Sequence, residues 1–111
     1  MAILSSHLLN SVNGTHANNV DIIIYQIKST GEKKIFYETK TDSSGRLLKE
    51  FKLNDQDCKS EYEMICKTGD YFSEKKIISE ITVKFKMPDP SKKYHIPIII
   101  SPNGYSIWWS D

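Results

Sequence analysis

The stretch Tyr94-His95-Ile96-Pro97-Ile98-Ile99-Ile100 near the C-terminal end limits the fold more than any other part of the chain. It is rich in β-branched isoleucine, which suits a strand. It is also the longest nearly unbroken apolar run in the chain. Ser101-Pro102-Asn103-Gly104 follows, and each of these residue types favours a turn. The run therefore reads as a buried strand that ends in a reversal of the chain. His95, at its start, contributes little to such packing, which makes it a candidate for chemistry.

The other segments fit the same architecture. Residues 3–10 read as a strand. Residues 11–19 are polar, contain the turn dipeptide Asn13-Gly14, and read as a loop carrying His16 as an ordinary surface residue. Val20–Ile27 and Lys34–Thr39 are strands separated by a turn over 29–32. In Thr41-Asp42-Ser43-Ser44-Gly45-Arg46, Asp42 can accept backbone N–H groups and Gly45 can supply a positive φ, which fixes Arg46 at the mouth of a strand over 46–51. Residues 53–60 read as loop and 61–67 as strand. After Gly69, with Asp70 as a candidate N-cap, one or two helical turns over 68–75 are the only helix expected. Ile77–Met87 alternates as a strand and stops at Pro88-Asp89-Pro90, and a last strand covers 105–109. Seven or eight strands at a spacing of roughly ten residues predict an all-β sandwich in a single domain over 1–111, with a small barrel as the other architecture.

Composition narrows the function. The chain has 15 basic and 14 acidic residues, a net charge of +1, so no general attraction to nucleic acid or membrane surfaces is expected. The lysine pairs at 33–34, 75–76 and 92–93 read as solvated faces or edge protection. No apolar run approaches the roughly 18 residues of a membrane span. No secretory leader and no peroxisomal Ser-Lys-Leu tripeptide are visible, so a cytoplasmic location is expected. Cys58 and Cys66 match no zinc spacing and are expected as free thiols. Histidines at 7, 16 and 95 lack local ligand spacing, so no metal is expected. There is no Gly-rich phosphate loop and no Gly-x-Ser-x-Gly elbow.

His7, Arg46 and His95 remain. Each sits on or beside a predicted strand. A near-neutral imidazole can take a proton from water, and a guanidinium fixed by a turn can hold an oxyanion or a planar heterocycle. Two histidines and an arginine suffice to hydrolyse a cyclic amide, although their spacing alone does not bring them together.

Four blocks, in order and spanning nearly the whole chain, carry a resemblance. Leu4-Ser5-Ser6-His7-Leu8-Leu9-Asn10 resembles the N-terminal motif of the transthyretin-like 5-hydroxyisourate hydrolases. Thr41-Asp42-Ser43-Ser44-Gly45-Arg46 is similar to their Thr-Asp-x-x-Gly-Arg motif. Thr68-Gly69-Asp70-Tyr71-Phe72 is similar to the segment before their short helix. Tyr94 to Ser106 resembles their Tyr-His-(Val/Ile)-Pro-Leu-Leu-Leu-Ser-Pro-x-Gly-Tyr-Ser signature. The resemblance implies a transthyretin-like (prealbumin-like) sandwich of two four-stranded sheets with one short helix, assembled as a homotetramer with its sites where protomers face one another. It implies cofactor-free hydrolysis of 5-hydroxyisourate to 2-oxo-4-hydroxy-4-carboxy-5-ureidoimidazoline in urate breakdown. His7, Arg46 and His95 fall on the family's catalytic positions, with one histidine activating water, Arg46 binding the ring and the other histidine relaying a proton. Which histidine does which stays open. Vertebrate transthyretins lack the first histidine, so His7 favours the enzyme over the carrier.

Two departures accompany the match. Lys93 stands where the family usually has histidine. The tail reads Ile107-Trp108-Trp109-Ser110-Asp111 in place of Thr-Tyr-Arg-Gly-Ser, losing an arginine and gaining Asp111. Trp108 and Asp111 join Arg46 as expected substrate-contacting positions, the indole by stacking on a flat ring and the carboxylate by weakening the hold on an anion. A transthyretin-like protein that binds a planar ligand or a protein partner without turnover is the alternative, and an enzyme or carrier for another small heterocycle is a third reading.

Overall fold

In the computed structural model, residues 1–72 and 77–110 are described. The elements, in chain order, are β1 (Ala2–Asn10), β2 (Thr15–His16), β3 (Asp21–Ile27), β4 (Lys33–Lys40), β5 (Arg46–Phe51), α1 (Asp55–Lys59), β6 (Glu61–Cys66), α2 (Thr68–Tyr71), β7 (Ile81–Lys86), β8 (Lys93–Ser101) and β9 (Gly104–Ile107). They form two sheets. One has the order β4-β3-β6-β7. The other has β1 at its centre, paired with β8 on one side and with both β5 and the short β2 on the other, while β9 lies beyond β8.

Alternation along the strands builds the core. In β1 the residues Leu4 and Leu8 point inward and are fully buried, and Ile98 and Ile100 of β8 do the same. From the opposing sheet come Ile22, Ile24, Tyr62 and Met64, also fully buried. Burial of each such aliphatic side chain contributes about 1.5–3 kcal/mol. The expected all-β sandwich is therefore what forms, and the tightly paired β1–β8 centre carries the isoleucine run as its core strand.

Four details differ from the sequence reading. Residues 53–60 are not all loop. Asn54 accepts from the Asp57 N–H while the Asp57 carboxylate accepts from the Asn54 N–H, a capping box that supports α1. Thr15–His16 pairs with Leu9 and Asn10, giving the β1 sheet a fifth, two-residue strand. The helix after Cys66 starts at an uncapped Lys67, and Asp70 lies inside its first turn rather than at the cap; expected helical residues 73–75 lie outside the described residues. Finally, β7 starts at Ile81 and not at Ile77, whose side chain is 81% exposed. The Ser79 backbone lies so close to Gly69 that any Cβ there would collide with it, so α2 and the approach to β7 pack backbone to backbone.

Candidate functional site

The outward face of the β1 sheet collects the polar side chains. On β1, inward Leu4 and Leu8 alternate with Ser5 and His7, which point away from the core. The antiparallel pairing with β5 sets Arg46 opposite His7 and Leu48 opposite Ser5. The parallel pairing with β8 sets His95 beside Ser5 and Pro97 beside His7. Three residues far apart in sequence thus reach one face through the register of two strand pairs.

The Asp42–Gly45 turn aims Arg46. The Asp42 carboxylate accepts the N–H groups of Ser44 at 2.9 Å and Arg46 at 3.0 Å, and these two bonds hold its pKa below the ordinary aspartate value. Gly45 has φ +71, and a side chain there would strike the Leu8 carbonyl, the Ala17 nitrogen and the His16 Cβ. Only glycine lets this turn nest against β1 and the residues after the first loop. The Gly45 carbonyl then accepts from the Leu8 N–H at 2.8 Å, next to His7.

A cleft of about 310 Å³ opens on this face, lined by Ser5, Asp42, Arg46, Leu48, Lys93 and His95 among others. His95 Nδ1 is hydrogen-bonded to the Ser5 hydroxyl at 2.7 Å, which orients the ring and leaves Nε2 for the cleft. Burial lowers the His95 pKa below 6.5, and the charges of Lys93 and Arg46 lower it further. His7 stands across the sheet from Arg46, beside this cleft and not among its lining residues. Its pKa is also lowered, by burial first, then by Arg46 and by His16, with the Ser44 backbone acting the other way. Both rings are therefore favoured as neutral bases near neutral pH.

The tail comes to the same place. Ser110 pairs with His95: its N–H donates to the His95 carbonyl at 2.9 Å, and the His95 N–H donates to the Ser110 carbonyl at 3.3 Å. Asp111 lies outside the described residues. Trp108 is 46% exposed and borders a separate apolar cavity of about 510 Å³ with Trp109, Ile107, Val83 and Phe85. The structure thus brings Arg46 and His95 into one cleft, sets His7 beside them, and leaves Trp108 outside it. Among the described residues no cluster of three or more His, Cys, Asp or Glu side chains could hold a metal ion. Cys58 and Cys66 are free, and burial raises both thiols, Cys66 to about 12, so neither is a ready nucleophile.

The HIUase/Transthyretin family model matches residues 4–109. The chain belongs to this family. It is 33% identical over 109 residues to a 5-hydroxyisourate hydrolase of Salmonella dublin, covering 96% of this chain and 79% of that one. It is 27% identical over 112 residues to the 5-hydroxyisourate hydrolase of Halalkalibacterium halodurans, covering 95% and 94%. Among solved structures, the Klebsiella pneumoniae 5-hydroxyisourate hydrolase superposes with a TM-score of 0.82 at 22% identity, over the full length of both chains. Sparus aurata transthyretin superposes with a TM-score of 0.85 at 21% identity, covering 96% of this chain and 95% of its own. The fold is thus shared by a 5-hydroxyisourate hydrolase and a transthyretin.

Three residues at this face escaped the sequence reading. Ser5 lay inside a recognised motif, and its partnership with His95 became visible only through the β1–β8 register. Lys93 was set aside as a departure, yet it lines the cleft two positions before His95. His16 was read as a plain surface residue, and its ring lies against His7, with His16 Nδ1 2.9 Å from His7 Nε2. The Asn13-Gly14 turn was the signal available for it, since a tight reversal there folds His16 back onto β1.

Proposed function

We propose that this protein is a 5-hydroxyisourate hydrolase. The observation that carries the reading is the convergence of His95 and Arg46 in one cleft with His7 directly across the β1–β5 pair from Arg46. The relatives named 5-hydroxyisourate hydrolase, matched over nearly the whole chain, support the same activity and do not favour a non-catalytic binder.

In this reading Arg46 holds the planar, readily anionic ring and the oxyanion that forms on its carbonyl, with Lys93 as a second cation at the cleft wall. His7, neutral near pH 7, takes a proton from the attacking water. The hydroxide so formed adds to the ring carbonyl. The carbonyl–nitrogen bond breaks, and the departing nitrogen takes up the proton that His7 removed from water; His95, with Nδ1 accepting from Ser5 and its own proton on Nε2, holds that nitrogen by a hydrogen bond, so both rings end neutral. Neither step calls for a metal or an organic cofactor. The protein acts in urate breakdown, and it works as a homotetramer in which neighbouring protomers cover apolar side chains exposed on this face, such as Leu48 (63% exposed).

The test is the ultraviolet decay of freshly generated 5-hydroxyisourate. Wild-type protein should accelerate it, and His95→Ala and Arg46→Ala should each slow it by 10² or more, the usual range for loss of an acid–base or oxyanion group. Decay at the spontaneous rate with wild-type protein defeats the proposal.

A further inference from the structure

His7 and His16 form a pair that the catalytic reading does not use. Their ring centres are 5.0 Å apart and their planes differ by 29°. The 2.9 Å gap between His7 Nε2 and His16 Nδ1 takes up most of that centre-to-centre distance. The rings therefore meet edge to edge and nearly in plane. That is the geometry of an N–H···N hydrogen bond, in which one nitrogen must donate and the other accept. A face-to-face stack would bring the centres together without bringing these two nitrogens into line.

The contact is built into the fold. Leu9 pairs with His16 and Asn10 with Thr15, so β2 lies directly beside the end of β1 that carries His7. The hairpin is held by the Gly14 N–H donating to the Asn10 carbonyl and by the Asn13 side chain accepting from Thr15. The Ala17 N–H donates to the Leu8 carbonyl, and the bare Gly45 backbone packs against His16 Cβ. His16 is thus anchored on both sides of its own Cα.

The direction of the bond follows from tautomer preference. Histidine in water prefers its proton on Nε2, and the His16 side chain is exposed. With that proton on Nε2, His16 presents a bare Nδ1 as acceptor. His7 must then donate from Nε2, which is its own preferred tautomer, and its Nδ1 keeps its lone pair. In the opposite direction both rings would adopt the less favoured form. The groups around His7 are Arg46 across the β1–β5 pair, Asp42 and the Ser44 backbone in the turn before it, His95 on β8 and His16 itself. The Nε2 of His7 faces His16 on β2.

We propose that His16 is a positioning residue: it accepts the His7 Nε2 proton and so fixes His7 in the tautomer whose Nδ1 can act as a base. The proposal rests on the hydrolase reading for the use of that base, and the pairing itself is testable without activity. Asparagine at position 16 keeps an acceptor oxygen near the place of Nδ1, whereas alanine has none.

The experiment is long-range ¹H–¹⁵N correlation spectroscopy of the histidine rings in full-length wild type, His16→Ala and His16→Asn at a pH where all rings are neutral, joined to 5-hydroxyisourate kinetics. His7 should carry its proton on Nε2 in wild type and His16→Asn, and relax to a tautomer mixture in His16→Ala. His16→Ala should lower kcat by a few-fold at most, since Nε2–H remains the favoured form of His7 and only part of the population is lost, with KM changed less than twofold. His16→Asn should recover most of that loss. A wild-type His7 protonated on Nδ1, or an identical His7 tautomer in wild type and His16→Ala, overturns the proposal. If wild type does not hydrolyse 5-hydroxyisourate, the hydrolase reading fails, and the ring spectra alone decide the pairing by the same two outcomes.

Discussion

Replacing Ser5 by alanine removes one oxygen from the chain and separates the folding role of the β1–β8 centre from its chemical role. The Ser5 hydroxyl is bonded to His95 Nδ1 at 2.7 Å, and Ser5 is 6% exposed. Its Cβ and the strand register stay in place, so no cavity of consequence opens. A neutral hydrogen bond of this kind contributes about 1 kcal/mol net, within a range of about 0.5–1.5. His95 is partly exposed, so water can satisfy Nδ1 after the substitution, and the stability loss should sit at the lower end of that range. Urea denaturation followed by tryptophan fluorescence measures it, with an unchanged m-value as the sign that the fold is intact. The catalytic effect is larger in proportion. Without Ser5 the ring is free to rotate and to exchange tautomers, and about 1 kcal/mol of lost orientation corresponds to a roughly fivefold fall in kcat, while KM, which rests on Arg46, stays within twofold. Steady-state decay of 5-hydroxyisourate by the variant is the assay. If the variant keeps wild-type kcat while the crystal or NMR structure shows the Ser5–His95 bond gone, His95 is not oriented through Ser5 and the role argued for it at the departing nitrogen fails.

Gly45→Ala should destabilise the protein by about 1–3 kcal/mol or more, because φ +71 is strained for alanine and its Cβ meets the Leu8 carbonyl; thermal denaturation checks this, and an unchanged midpoint contradicts it. The acid limb of kcat/KM should fall with a midpoint below 6.5, since His7 and His95 are both lowered from that value. In the same window the unfolded chain binds more protons on these rings than the folded chain does. Their contribution to stability is thus intact above pH 6.5 and declines as the pH falls through the lowered folded values; a pH–rate profile with its midpoint above 6.5 is inconsistent with this. Light scattering should give four times the chain mass of 12.8 kDa, and a monomer would remove the assembly on which a shared site depends.

Much of the sheet sandwich is legible from alternation and turn chemistry. Ile22 and Ile24, Tyr62 and Met64, and Ile96, Ile98 and Ile100 have one physical use, which is to fill the space between two sheets. The Asp42–Gly45 turn is equally plain, because an Asx acceptor and a positive φ are local requirements met by local residues. What sequence does not display is register. The pairings of Ser5 with His95 and of His7 with Arg46 depend on how β1 slides against β8 and β5, and a shift by one residue would send each of these side chains into the core. His16 was misread for the same reason: its loop looked polar and solvated, and only its pairing with Leu9 shows that it is carried back to the site. The Asn54–Asp57 capping box was visible in the residues and was outweighed by the polarity of its surroundings. The altered tail remains a sequence fact with a new location, since Ser110 lies on the His95 backbone and Trp108 borders a different cavity.

Whether the face carrying His7, Arg46 and His95 opens the ring of 5-hydroxyisourate is decided by the decay of the freshly generated compound in the presence of the wild-type protein. The rate should rise in proportion to protein concentration and fall by 10² or more in His95→Ala. A rate equal to spontaneous decay at every protein concentration, from a folded wild-type sample, would contradict it.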